Sequence, residues 1–144
     1  MKVLVVIKAN ADSEAGKMPS EKLISEMMKF NEALIKAGVL LSGEGLRPSA
    51  AAKRVRFERD QKTVIDGPFS ETKELIAGFW IWQVRSMEEA VEWVKRIPNP
   101  DNDPGPSEID IRPVFEMEEF GKDLSPELQA KNEQLRGAVE VQKK

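Results

Sequence analysis

Asp66, Glu71 and Lys73 fall within one run, Asp66–Glu74 (DGPFSETKE), and could move protons or hold a charged ligand. A carboxylate can act as a general base, and a lysine can act as an acid or an anion binder. The chain has no histidine, cysteine or tyrosine. Ser-His triads, thiolate nucleophiles, His- or Cys-ligated metals and the usual proton shuttle of neutral pH are therefore excluded. Any acid or base must be a carboxyl group or a lysine with a displaced pKa.

Each of these residues also has a structural explanation. Asp66 can accept from nearby backbone N–H groups, Gly67 permits an unusual backbone angle, and Pro68 holds a turn that projects Phe69. Asp66 thus reads as a turn-fixing residue or as a base in a pocket, and Phe69 as a packing anchor or a ligand platform. Glu71, Lys73 and Glu74 make a screened surface cluster, or else Lys73 binds an acidic substrate group and a partly desolvated glutamate moves protons.

A second constellation falls on strand-like segments. Glu44 lies among glycines, and Asp110 and Arg112 share one side of a strand whose other side carries Ile109 and Ile111. Buried charges on a sheet should be paired. The reading is a structural Asp-Arg or Glu-Arg pair, or a ligand pocket in which Arg112 holds a carboxylate or enolate and a carboxylate acts as base. The acidic cluster Glu116, Glu118 and Glu119 matches no calcium loop, so no metal site is expected. Gly43–Gly45 is too short for a dinucleotide fingerprint and no phosphate-binding glycine loop opens a helix, so no cofactor is expected.

The elements that must position these residues can be read from periodicity. Lys2–Lys8 is apolar at every internal position, a strand with both faces covered. Ser20 caps a helix whose Leu23, Met27, Phe30 and Leu34 form a stripe, widened by Ile24 and Ile35 and stopped at Gly38. A second strand starts at Val39 and loosens through Ser42–Leu46, where the glycines suggest a bulge or a close approach. Val55 and Phe57, then Thr63–Ile65, predict a half-exposed hairpin, whose Lys53, Arg54, Arg56, Arg59 and Lys62 read as a solvated edge and not a nucleic-acid surface. Leu75–Val84 should be a central strand, with Trp80 and Trp82 on one face as core or interface. Ser86–Glu89 is a capping box opening a helix through Ile97, ended by Pro98 and Pro100. A polar loop over Asn99–Ser107 leads to a last strand, Ile109–Phe115. Ser125 caps a tail helix with Pro126 at its first position, and the last six residues are expected to fray.

The order β-α-β, inserted hairpin, β-α-β predicts an α+β, ferredoxin-like fold with the helices on one face of an antiparallel sheet. Helices cover one sheet face only, yet the other is also apolar. A homodimer packed sheet to sheet is therefore expected. The chain has 144 residues, suited to one main domain, and its net charge of -3 disfavours polyanion binding. Its one N-terminal apolar run, Val3–Ile7, is too short for a signal or membrane segment, so a cytoplasmic location without membrane association is expected.

DGPFSETKE, with ELIAGFW at Glu74–Trp80, resembles the DGPF (DGPFAETKE) family of YCII-related proteins, Ser70 standing where alanine is usual. KANADSEAG at Lys8–Gly16, AGVLLSGEGL at Ala37–Leu46 and IDIRPVFEMEEFG at Ile109–Gly121 fit the same family. The resemblance implies a domain over residues 1–121, a helical tail over 122–144, and a dimeric α/β barrel. It implies little about activity: members are mostly uncharacterised, some occur with extracytoplasmic-function sigma factors, and the wider group has a suggested Asp-His pair. This chain has no histidine to supply that pair.

Two functional expectations follow. One is a homodimeric small-molecule-binding protein, able to act as a cofactor-free enzyme on a small organic acid, with Asp66, Glu71 and Lys73 as catalytic candidates and Glu44, Phe69, Asp110 and Arg112 as ligand-binding candidates. The other is a non-catalytic regulatory or interaction protein partnering a sigma factor.

Overall fold

The computed structural model describes residues 1–71, 74–99, 107–116, 118–119 and 123–143. Contacts divide the chain into two units, Met1–Pro113 and Val114–Lys144. The first holds a four-stranded antiparallel sheet in the order β2-β5-β1-β6, made by β1 (Lys2–Lys8), β2 (Leu40–Gly45), β5 (Ile76–Gln83) and β6 (Ile109–Pro113). A separate ribbon pairs β3 (Lys53–Glu58) with β4 (Gln61–Asp66). Helix α1 (Ala11–Glu14) follows β1, α2 (Glu21–Lys36) connects it to β2, and α3 (Met87–Lys95) connects β5 to β6. This is the α+β, β-α-β-β-α-β order with the hairpin inserted before β5.

Pairing decides which residues share a face. Val3 lies opposite Trp82 and Val5 opposite Trp80, and all four are buried against Phe30 and Leu34 of α2 and Ala90 of α3. Residues directly opposite each other project to one side. Trp80 and Trp82 are thus core, their rings meeting that of Phe30 at centroid distances of 5.8 and 6.2 Å. Gly43 lies under Trp80, where a Cβ would sit 2.6 Å from the indole Cδ1. A register shift falls between Leu40 and Ser42, just before the glycine stretch, and within the stretch it is the close approach that is found, at Gly43.

Ser20 caps α2 by accepting from the Leu23 N–H, but Ile24 and Ile35 do not widen the buried stripe. Ile35 is 62% exposed and Met28 65%, because the sheet meets only the Phe30–Leu34 side of this helix. The hairpin is more exposed than its alternation predicts: it has no sheet neighbour beyond its own two strands, and Phe57 is 71% exposed. Its turn is also tighter, with Glu58 pairing Gln61 and Arg59 at φ 55°.

Ser86 accepts from the Glu89 N–H, as a capping box requires. The Glu89 carboxylate, however, reaches past the cap to the Arg85 N–H, at 2.7 Å. Helix α3 ends at Lys95, two residues before the expected Ile97. The expected end signal at Pro100 and most of the Asn99–Ser107 loop lie outside the described residues. The last strand stops at Pro113 instead of Phe115, since a proline cannot donate to a continuing ladder.

The second unit contains a helix over Pro126–Gln142, capped by Ser125 and extending into the stretch expected to fray. Among the described residues no helix is long and apolar enough to cross a membrane.

Candidate functional site

The signature begins where β4 ends. Asp66 lies opposite Lys53, and their side chains form an ion pair of 2.5 Å on an exposed surface. Such a pair stabilises by about 0–1 kcal/mol and holds the base of the ribbon together. Gly67 donates to the Ala52 carbonyl at 2.9 Å, and the Gly67–Pro68 peptide bond is cis. Phe69 then turns inward, its N–H donating to Ser49 Oγ at 3.0 Å.

Ser49 is the buried polar residue on which this turn rests. It opens a short 3-10 turn, Ser49–Ala51, and is 5% exposed. Its N–H donates to the Glu14 carboxylate at 3.1 and 3.3 Å, and its hydroxyl donates to Glu14 Oε2 at 2.5 Å. A hydroxyl has one proton to give, so Ser49 gives it to Glu14 and accepts from Phe69 with a lone pair. Glu14 belongs to α1, which Asn10 fixes by accepting from the Ser13 N–H at 2.8 Å while Ser13 Oγ accepts from the Asn10 N–H at 2.9 Å. Three segments distant in sequence therefore meet through one serine.

A cleft of about 520 Å³ opens at this junction, lined by Asn10, Ala11, Glu14, Pro68, Phe69 and Ser70. Glu14 is the ionisable side chain among its lining residues. A carboxylate has about four lone-pair positions, so donation from Ser49 leaves capacity to accept from a ligand. Beside the cleft, the Arg54 guanidinium lies 4.0 Å from the centroid of the Phe69 ring and 4.0 Å from Glu71 Oε2. The cluster thus combines an acceptor, an aromatic and apolar wall, and a cation held at the wall.

The remaining sequence candidates divide between two places. Phe69 is in the cleft, Glu71 is beside it through Arg54, and Asp66 is not among the lining residues. Lys73 lies outside the described residues. Glu74 donates from its N–H to the Glu71 carbonyl at 2.9 Å.

Glu44, Asp110 and Arg112 share the sheet face turned away from α2 and α3. Register places Glu44 opposite Phe79, Phe79 opposite Val6, and Val6 opposite Asp110. Three interstrand spacings put Glu44 and Asp110 about 14 Å apart. Asp110 pairs with Lys8 at 3.2 Å and not with Arg112, which stands opposite Leu4. Between these charges runs an apolar strip of Leu4, Val6, Phe79 and Ile81.

Glu14 and Ser49 are the site residues that sequence reasoning misses. Glu14 sits in a short polar segment with no periodicity, and its partner is 35 residues away. The available signal is indirect: KANADSEAG and the signature both belong to the same family pattern, which places both segments in one domain without placing them together.

The sequence model of the YCII-related domain family matches residues 1–118. An uncharacterised protein of Rhizobium meliloti (strain 1021) is 28% identical over 112 residues, covering 78% of this chain and 89% of the relative. Among solved structures, 5-chloro-2-hydroxyhydroquinone dehydrochlorinase from Burkholderia phenoliruptrix AC1100, in complex with 2,5-dihydroxybenzoquinone, aligns with a TM-score of 0.43 and 16% identity. That alignment covers 80% of this chain and 94% of the dehydrochlorinase.

Proposed function

The chain belongs to the YCII-related domain family, and from that premise we propose that it binds a small organic acid at the signature cleft and transfers a proton on it without a cofactor. The observation that carries this reading is the Glu14 carboxylate, oriented by two donors of a buried serine and lining a cleft walled by Phe69 and Pro68. In a chain without histidine, an oriented carboxylate is a group suited to removing a proton.

The ligand brings an acidic C–H or O–H to Glu14 and rests its apolar part on Phe69. Its anionic end is taken by Arg54, which exchanges the 4.0 Å contact with Glu71 for a direct pair. The carboxylate takes the proton and returns it at a neighbouring atom, an isomerisation that needs no oxidant or reductant. Such positioned proton transfer contributes roughly 10²–10⁴-fold to a rate.

The same reading includes a homodimer in which a second copy covers the strip of Leu4, Val6, Phe79 and Ile81. The support is that Phe79 and Ile81 are only partly buried on a face that α2 and α3 do not reach.

A thermal-shift screen of small organic acids tests the site, run on the wild type, Glu14→Gln and Arg54→Met. A ligand at about 100 times its Kd adds roughly 2.7 kcal/mol to stability. The expected result is a shift in the wild type that Arg54→Met loses, and turnover of the same compound that Glu14→Gln loses. If no organic acid shifts the wild type, or both variants bind and turn over as it does, the assignment is wrong.

A further inference from the structure

A second cleft, of about 700 Å³, lies where the segment after α2, the end of β5 and α3 meet. Its lining includes Gly38, Gln83, Val84, Trp93 and Arg96, together with charged residues of α3 and its approach. Two of its three cations are already matched. Arg85 Nε pairs with Glu89 at 3.2 Å, and Lys95 with Glu92 at 3.1 Å.

Arg96 is different. Its guanidinium lies 4.4 Å from the centroid of the Trp93 ring, and among the described residues no carboxylate is within ion-pair distance of it. A guanidinium carries five N–H donors in a planar fork that matches a carboxylate in bidentate fashion. Stacking on an indole fixes the plane of that fork and reduces the freedom it must give up on binding. The Phe30 ring meets Trp93 at 6.2 Å from within the core, so the platform itself is anchored.

We propose that this cleft is a second ligand site, for a small aromatic carboxylate. The carboxylate is held by the Arg96 fork, and the ring fills the apolar space beside Trp93 and Val84. The two clefts differ in where their cation stands: Arg54 lies beside the signature cleft and is engaged by Glu71, whereas Arg96 is in the lining of this one. The lining charge at the signature cleft is the acceptor Glu14, whereas the unmatched lining charge here is the donor Arg96.

Titration of the ¹⁵N-labelled full chain with benzoate, followed by NMR, tests this. The chain has three tryptophans, so three indole N–H signals are to be assigned. Benzoate should shift the Trp93 indole and the Gly38 amide saturably, and any shift of the Phe69 and Ser70 amides should be unchanged in Arg96→Gln. Loss of a charge-assisted pair corresponds to an affinity drop of roughly tenfold or more in Arg96→Gln, whereas Lys95→Gln should bind as the wild type does. Acetate, which lacks the ring, and benzyl alcohol, which lacks the charge, should each bind at least about tenfold more weakly. The site is overturned if benzoate leaves Trp93 unmoved, if Arg96→Gln binds as tightly as the wild type, or if either control compound matches benzoate. Arg96 is on the surface, so a folded spectrum of Arg96→Gln is expected; Arg96→Lys, which keeps the charge and loses the fork, should fall between the two.

Discussion

The carbonyl oxygen of Ser49 occupies the space that a side chain at position 67 would need: a Cβ on Gly67 would lie 1.7 Å from it. The signature glycine is therefore required by the close approach of the 3-10 turn, since no neighbouring side chain can rotate away to make room. Gly67→Ala should destabilise the fold by about 3 kcal/mol, the upper part of the range for overpacking. Urea unfolding of the two proteins measures it, and a difference within about 0.5 kcal/mol would show that the turn yields.

Ser49→Ala should remove two of the hydrogen bonds that meet at the serine and leave the Phe69 N–H without its partner. The expected cost is roughly 1–3 kcal/mol. A double-mutant cycle with Glu14→Gln separates the pair from its surroundings. Residues joined by a direct hydrogen bond should couple by about 0.5–3 kcal/mol, and additive effects would mean that the 2.5 Å contact contributes nothing.

Acid should weaken the cap of α3. Donation from the Arg85 backbone N–H, with the Arg85 guanidinium adding to it, holds the Glu89 carboxyl below the usual glutamate range. A depressed folded-state pKa contributes stability that is fully present above the unfolded value, about 4.3, and is lost as pH falls through the folded one. The wild type should therefore exceed Glu89→Gln in melting temperature at neutral pH, and the gap should shrink below about pH 4. A gap that is constant across that range would contradict the assignment.

The sheet-to-sheet homodimer is tested by placing a charge in its apolar strip. Phe79→Glu should sediment as a monomer at micromolar concentration while the wild type sediments as a dimer, because an unpaired charge in a buried interface is costly. A monomeric wild type would exclude the arrangement.

The fold was largely legible because its main elements announce themselves locally. Lys2–Lys8 and Leu75–Val84 are apolar on both faces, and Ser20, Ser86 and Ser125 each cap the helix that follows. Legibility failed where a residue's role depends on distant partners. The periodicity of α2 does not reveal that the sheet is too narrow to bury Ile35, and nothing near Glu14 points to Ser49. Among the charged candidates, local sequence placed Asp110 and Arg112 on one strand side, which the register shows, but the partner of Asp110 turned out to be Lys8 of β1. The signature was legible as a turn because glycine and proline carry their geometry with them, whereas the cleft beside it required three segments to be brought together.

The hydrogen bond from Phe69 to Ser49 spans 20 residues and the one from Ser49 to Glu14 spans 35. Closing such separations costs loop entropy before any contact repays it. These links lie outside the Trp80–Trp82 core cluster, so the cleft is expected to open locally without the core opening with it. The amide proton of Phe69 becomes a reporter of that local equilibrium: its exchange with deuterated solvent measures how often the cleft comes apart while the sheet behind it stays intact.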